Sequence, residues 1–182
     1  MDQKRLIRKK FFIKRKKNYF NINENFFLPL VKILKKKPKK KIFISLYYPS
    51  FFEIDVMKIV NLEYFKKSNF LLPAIDKNDS MNFYTWRKSD VLTLKKNGIP
   101  EPIKSKKILP DVILLPLLVF DKNKNRLGYG KGFYDKYLFK YSKIKKMLSV
   151  GVAFSFQKYH KLPVNKRDYK LDYIITEKGV IR

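Results

Sequence analysis

Apolar positions along the chain occur both as short runs and as periodic stretches, and these predict alternating strands and helices. Short runs, typical of strands buried on both faces, occur at 41–47, 70–74, 81–86, 112–120, 147–154 and 173–176. Helical spacing of apolar residues occurs at 1–20, 26–34, 56–65 and 133–141. Strands alternating with helices predict an α/β fold with a layered sheet and flanking helices. The length of 182 residues predicts a single domain, 1–182.

The longest apolar run, 112–120, is interrupted by Pro116. A proline has no backbone N–H to donate to a neighbouring strand, so we predict a break or a local edge at that point. The segment 97–102 contains one glycine and two prolines and predicts a rigid, extended loop. The lysine-rich segment 35–41 around Pro38 predicts a solvated connection.

Three glycines at alternate positions, Gly128, Gly130 and Gly132, immediately precede a predicted helix. Glycine permits positive φ and close approach of a ligand to the backbone, and N–H groups at a helix start favour an anion. Arg126 and Lys131 add positive charge to this segment. The spacing is neither that of a Walker A loop nor that of a Rossmann fingerprint, so the glycines alone predict a structural turn equally well.

Composition narrows the functional classes. Aromatic residues make up 16% of the chain, which argues against disorder, and the absence of cysteine excludes disulfides, zinc thiolates and thiol catalysis. The single histidine, His160, has no Gly-x-Ser-x-Gly motif to complete a serine triad, and we assign it no role. No apolar run approaches the roughly 18 residues that span a bilayer, and the basic N-terminus lacks the apolar core of a secretory signal. We therefore predict a cytoplasmic protein with no membrane partner.

The net charge of +28 would attract any polyanion. However, 36 of the 43 basic residues are lysine and are spread over the chain, whereas specific nucleic-acid readers depend on arginine. Together with abundant Asn, Ile, Phe and Tyr, this indicates compositional drift, and we predict no specific nucleic-acid partner. The alternative is a basic RNA-associated binding protein that uses its lysine-rich surface.

Longer motifs carry a resemblance to a known family. Residues 116–121 and 125–138 resemble the signature of the 5-formyltetrahydrofolate cyclo-ligase family, also called methenyltetrahydrofolate synthetase. Segments 81–86 and 98–102 are similar to that family's central segments, and 162–172 is similar to its C-terminal segment. The resemblance extends over nearly the full chain in the same order.

The resemblance implies an ATP- and magnesium-dependent ligase that cyclises 5-formyltetrahydrofolate to 5,10-methenyltetrahydrofolate and releases ADP and phosphate. ATP would be a co-substrate that phosphorylates the formyl oxygen before N10 attacks. The implied fold is a Rossmann-like open sheet of the NagB, ribose-5-phosphate isomerase and CoA-transferase type, and the implied state is a monomer. A generic ATPase or sugar-phosphate enzyme on a similar fold is a further possibility.

The resemblance also implies site residues. Lys131 and Arg126 are assigned to catalysis, and Asp135 and Asp168 to Mg²⁺. ATP contacts are assigned to Lys4, Arg8, Arg126, Leu127, Gly128, Tyr129, Gly130, Lys131, Gly132, Phe133 and Tyr134. Folate contacts are assigned to Glu53, Trp86, Tyr129, Gly130, Lys131, Gly132 and Phe133.

Several of these residues also fit purely structural roles. Lys4 and Arg8, one helical turn apart, equally predict surface charge. Glu53 equally fits an acidic residue at a helix N-terminus, and Trp86 fits a core residue. Asp172, near Asp168, equally fits a turn-forming residue.

Overall fold

The computed structural model describes residues 2–35, 41–95 and 98–182. The α-helices in these ranges are α1 (Gln3–Asn18), α2 (Leu28–Leu34) and α3 (Phe133–Tyr141). The first strands are β1 (Phe43–Ser45), β2 (Asn69–Ile75), β3 (Met81–Trp86), β4 (Thr93–Leu94), β5 (Pro100–Glu101) and β6 (Val112–Pro116). The later ones are β7 (Val119–Asp121), β8 (Arg126–Leu127), β9 (Leu148–Val152), β10 (Lys158–Tyr159), β11 (Tyr173–Thr176) and β12 (Gly179–Ile181). Short 3-10 helices span Glu24–Phe27, Val56–Asn61, Glu63–Phe65 and Ser155–Gln157.

A seven-stranded mixed sheet with the order β12-β11-β9-β6-β1-β2-β3 forms the centre of the fold. Its five inner strands are mutually parallel, and β12 and β3 close the two edges as antiparallel neighbours. Side chains alternate between the two faces of β6, so Val112 and Leu114 belong to one core cluster while Ile113 and Leu115 belong to another. Helix α2 packs in the first cluster and α3 in the second. The predicted α/β fold, a layered sheet with flanking helices, is confirmed.

Pro116 ends β6, which confirms the predicted break in the longest apolar run. After the buried Leu117 and Leu118, the chain enters β7 in a separate three-stranded sheet with the order β10-β7-β8. This run is therefore shared between two sheets. Because β8 leads directly into the glycine segment, the glycines lie near the carboxyl end of β6, where open α/β sheets bind ligands.

Other elements differ from the predictions. The predicted helix 56–65 consists of two 3-10 segments instead, because its buried residues Val56, Ile59 and Phe65 follow the three-residue repeat of that helix. In the predicted extended loop 97–102, β5 pairs with β4. Asn97, and residues 36–40 of the predicted solvated connection, lie outside the described residues. Strand β12 was not predicted. No helix within the described ranges is long and apolar enough to cross a membrane.

Candidate active site

A cavity of about 490 Å³ lies at the carboxyl end of β6. One wall is the glycine-rich segment 126–135, and the other walls come from the turn 47–53, from the facing ends of β2 and β3, and from Asp168. Nearly all the predicted site residues therefore meet at one place, although they come from four separated parts of the chain.

The glycine-rich segment has the conformation that glycine permits. Gly130 and Gly132 have φ of +102° and +69°, and Gly132 directly precedes α3. Arg8 of α1 donates from Nε to the carbonyl of Gly128 at 2.9 Å. A Cβ atom at position 130 would lie 3.5 Å from Cζ of Arg8. That distance is an ordinary van der Waals contact, so the positive φ, and not the guanidinium, is what favours glycine at this position.

Two cation–carboxylate pairs border the loop. Arg126 is buried and pairs through Nη2 with Oδ1 of Asp135 at 2.9 Å, while Nη1 donates to the carbonyl of Tyr169 at 3.0 Å. Lys4 pairs with Asp168 at 2.5 Å. Each aspartate also accepts a backbone N–H, from Tyr169 at 3.0 Å and from Asn165 at 2.7 Å. Both carboxylates are therefore fixed in orientation at the edge of the same cavity.

The two aspartates fit the predicted magnesium site by their chemistry. Mg²⁺ prefers hard oxygen ligands and is commonly bound by one or two carboxylates, with water and substrate phosphates completing its shell. Asp135 and Asp168 both line the cavity and are partly exposed to it. Within the described ranges, no group of three or more His, Cys, Asp or Glu side chains could hold a metal by itself. Water and substrate phosphates would therefore complete the shell of a magnesium ion held by these two aspartates.

Glu53 is positioned by a strained turn. Phe51 and Phe52 both have positive φ, of 48° and 63°, a conformation that costs free energy for non-glycine residues and clusters at functional sites. The turn directs the Glu53 carboxylate back to the N–H of Ser50, at 2.9 Å from Oε2. Glu53 is only 6% exposed. Burial raises the pKa of its carboxyl, while the hydrogen bond from the Ser50 N–H and the positive charge of Arg15 partly oppose that rise.

Arg15 was not predicted, yet it connects this turn to the glycine segment. Its side chain is 1% exposed and donates to the carbonyls of Leu117 at 3.1 Å and of Phe51 at 2.8 Å. It also donates to the hydroxyl of Tyr129. The signal was present in the sequence, because arginine is rare in this chain and position 15 lies two turns from Arg8 on the same helical face.

Replacing Arg15 by methionine is expected to lower the free energy of unfolding by about 1–3 kcal/mol, because buried carbonyl acceptors lose their donor. It should also raise the pKa of Glu53 further, since a nearby positive charge is removed. Denaturant unfolding measures the first effect, and the pH dependence of folate binding measures the second. Arg5→Met, at an exposed position of the same helix, is the control. Equal stability of the two variants would contradict the role of Arg15.

Trp86 does not line this cavity, which corrects its assignment to the folate site. It is buried in the core cluster around α2 and borders a separate cavity of about 550 Å³ at the opposite end of β2 and β3. The reason is strand geometry: Met81 and Trp86 stand at opposite ends of β3, five residues and roughly 16 Å apart along the strand. Met81 lines the site cavity instead.

Most of the other predicted residues line the cavity. Arg8, Glu53, Asp168 and all ten residues of 126–135 line the cavity, whereas Lys4 reaches it through its pair with Asp168. Asp172 accepts hydrogen bonds from the Ser149 N–H at 2.8 Å and from its hydroxyl at 2.7 Å, so it bonds to β9 and does not form the local turn of its structural alternative.

Comparison with known proteins identifies the family. The model of the 5-formyltetrahydrofolate cyclo-ligase family matches residues 3–177. A Schizosaccharomyces pombe protein named probable 5-formyltetrahydrofolate cyclo-ligase is 32% identical over 146 residues, which cover 71% of this chain and 72% of that protein. The Haemophilus influenzae 5-formyltetrahydrofolate cyclo-ligase is 31% identical over 140 residues, covering 73% and 74% of the two chains.

Two solved structures are similar to this chain over nearly its whole length. The structure of Aquifex aeolicus 5,10-methenyltetrahydrofolate synthetase has a TM-score of 0.78 at 32% identity and covers 100% of this chain and 93% of its own. That of the Mycoplasma pneumoniae 5,10-methenyltetrahydrofolate synthetase has a TM-score of 0.71 at 25% identity, with 96% and 98% covered. The chain therefore belongs to the 5-formyltetrahydrofolate cyclo-ligase family, as its sequence motifs predicted.

Proposed function

We propose that this protein catalyses the ATP-dependent cyclisation of 5-formyltetrahydrofolate to 5,10-methenyltetrahydrofolate, with release of ADP and phosphate. The observation that carries the proposal is the single cavity that joins a cation-bordered glycine loop to a buried glutamate. The first feature suits polyphosphate and the second suits a ring with N–H donors. An enzyme that transfers a phosphoryl group from ATP to this folate needs both features within one site.

The glycine loop is proposed to bind the phosphates of ATP. Backbone N–H groups of a loop with positive φ and the start of α3 provide donors for phosphate oxygens. Arg8 and Arg126 are held at the loop by hydrogen bonds and so add fixed positive charge. Lys131, exposed between two glycines, is proposed to contact the transferring phosphoryl group. Phosphoryl transfer depends mainly on such positioning and charge stabilisation.

The apolar part of the cavity is proposed to bind the folate ring. Glu53 supplies carboxylate oxygens that can accept the amino and ring N–H groups of the pterin. Tyr129 and Phe133 line the same cavity and can pack against the ring or against the nucleotide. Arg15 positions Tyr129 by its hydrogen bond and does not itself line the cavity.

The proposed reaction has two steps. The oxygen of the formyl group on N5 attacks the γ-phosphorus of ATP. A new P–O bond forms, the bond from the γ-phosphorus to the β-phosphate oxygen breaks, and ADP departs. The N10 lone pair then attacks the activated formyl carbon, N10 loses its proton to solvent, and phosphate leaves with the C–O electron pair. Neither step requires a histidine or a thiol, which agrees with the residues that line the cavity.

Asp135 and Asp168 are proposed to bind Mg²⁺ together with the phosphates. The bound ion would neutralise negative charge on the phosphates. Asp168→Asn is expected to raise the magnesium concentration for half-maximal turnover at least about 10-fold, because the carboxylate charge is lost. A magnesium titration of turnover measures this, with the exposed Asp79→Asn as the control. An unchanged magnesium requirement would remove Asp168 from the site.

The alternative of a basic RNA-associated protein is not supported, because the family match spans residues 3–177. A generic ATPase would hydrolyse ATP without folate. The finer fold type, the NagB, ribose-5-phosphate isomerase and CoA-transferase type, together with the single domain 1–182, the monomeric state and the cytoplasmic location, stay predictions.

The proposed function is tested by mixing the protein with 5-formyltetrahydrofolate, ATP and magnesium. We expect the conjugated methenyl chromophore to appear only when all three are present. ATP hydrolysis in the absence of folate, without the chromophore, would contradict the proposal and favour a generic ATPase.

A further inference from the structure

A second buried carboxylate, Glu101 of β5, lines the same cavity, and no step described so far uses it. Glu101 is 5% exposed. Its Oε1 accepts the backbone N–H of Ile75 at 3.1 Å, which ties β5 to the end of β2. Its Oε2 is buried and has no hydrogen-bond partner among the residues that the structure describes.

An unpaired buried carboxylate oxygen calls for a partner from outside the chain. Buried polar atoms in folded proteins are nearly always hydrogen-bonded. An ionised carboxylate can only accept hydrogen bonds, so the missing partner is an N–H or O–H donor. Pro73, Ile75, Met81 and Ile99 line the cavity together with Glu101. A suitable ligand therefore combines an apolar ring surface with donors on its edge.

This step rests on the proposed function, under which two ligands with such rings, ATP and 5-formyltetrahydrofolate, enter this cavity. Adenine offers one amino group as donor, and the exposed nitrogens of its ring are acceptors. The reduced pteridine ring offers an amino group and further N–H donors on both of its rings. Oε2 of Glu53 already accepts from Ser50, at 2.9 Å from its N–H and 3.3 Å from its hydroxyl. Glu53 therefore has less free acceptor capacity than the pteridine has donors.

We propose that Glu101 is a second folate-binding carboxylate, whose Oε2 accepts a hydrogen bond from an N–H of the reduced pteridine ring. Glu53 and Glu101 together provide two carboxylate acceptors for a ligand that carries several N–H donors. The pair also disfavours adenine in this part of the cavity, because ring acceptors would face carboxylate oxygens.

The test is Glu101→Gln. Glutamine keeps a carbonyl oxygen that can accept from the Ile75 N–H, but it places an amide donor where Oε2 was. We expect the Kd for 5-formyltetrahydrofolate to rise about 10- to 100-fold, as for the loss of one charge-assisted hydrogen bond. The Kd for ATP should change less than about 2-fold, and the thermal unfolding midpoint should match that of the wild type. Glu63→Gln, at an exposed glutamate, is the control.

The possible outcomes separate this inference from the proposed function. Unchanged folate affinity in E101Q, with wild-type protein that forms the chromophore, would overturn the inference alone. A larger loss of ATP affinity than of folate affinity would assign Glu101 to the nucleotide and overturn it too. A lower unfolding midpoint with parallel losses for both ligands would show a structural role only. Failure of wild-type protein to form the chromophore would contradict the proposed reaction, while the folate Kd of E101Q would still decide the inference.

Discussion

Lys131→Ala is expected to reduce the rate of methenyltetrahydrofolate formation by at least about 100- to 1000-fold, because the ammonium group would no longer stabilise charge on the transferring phosphoryl group. Lys131 lies between Gly130 and Gly132 and lines the cavity. Its side chain is exposed, so its removal should leave the free energy of unfolding nearly unchanged. Single-turnover measurement of chromophore formation tests the chemical step directly.

The matched control is Lys136→Ala, an exposed lysine of α3 that does not line the cavity. It should retain wild-type turnover. The two variants lose the same charge in the same part of a strongly basic protein, so general attraction of ATP is equally affected in both. Normal turnover by Lys131→Ala, or equal losses in both variants, would refute the role of Lys131.

Glu53→Gln is expected to weaken 5-formyltetrahydrofolate binding about 10- to 100-fold, because an amide replaces oxygens that accept from the pterin. ATP affinity should stay the same. Isothermal titration with each ligand separately measures both values, and Glu63→Gln again serves as the control. Unchanged folate affinity would remove Glu53 from the folate site.

The same variant is expected to be more stable than the wild type at neutral pH. Because burial raises the pKa of Glu53, the folded protein binds that proton more tightly than the unfolded chain does. The wild-type free energy of unfolding therefore decreases as pH rises from the ordinary carboxyl range through the raised value. The variant lacks this decrease, so the difference in free energy of unfolding between Glu53→Gln and the wild type should vanish in acid. A variant that is less stable at neutral pH would contradict this account.

The sequence predicted most of the fold because local patterns determined it. The strand 112–116 and the helix after Gly132 followed directly from apolar runs and glycine punctuation. The 3-10 segments between Val56 and Phe65 were not distinguished from an α-helix, because apolar residues at intervals of three fit both kinds of helix. The pairing of β4 with β5 was missed because a pair of two-residue strands has too few positions to show a period.

The site was predicted only where its residues fall within one segment or one family motif. The glycine segment and its acids are continuous in sequence or carried by resemblance, and these predicted residues line one cavity. Arg15 shares a helical face with Arg8, but its bonds to the carbonyls of Leu117 and Phe51 depend on tertiary contacts that the sequence does not specify. Glu101 lies within segment 98–102, which resembles the family, but the resemblance assigned it no role. Trp86 was misplaced because the end of β3 that reaches the cavity depends on how β3 pairs with β2, which the sequence left open.

The central claim is that ATP transfers its γ-phosphoryl group to the formyl oxygen, which then leaves as part of the phosphate. The most direct measurement uses 5-formyltetrahydrofolate labelled with ¹⁸O in the formyl group, followed by mass analysis of the inorganic phosphate released during turnover. The account predicts one labelled oxygen in each phosphate released. Label recovered in water, with unlabelled phosphate, would contradict it.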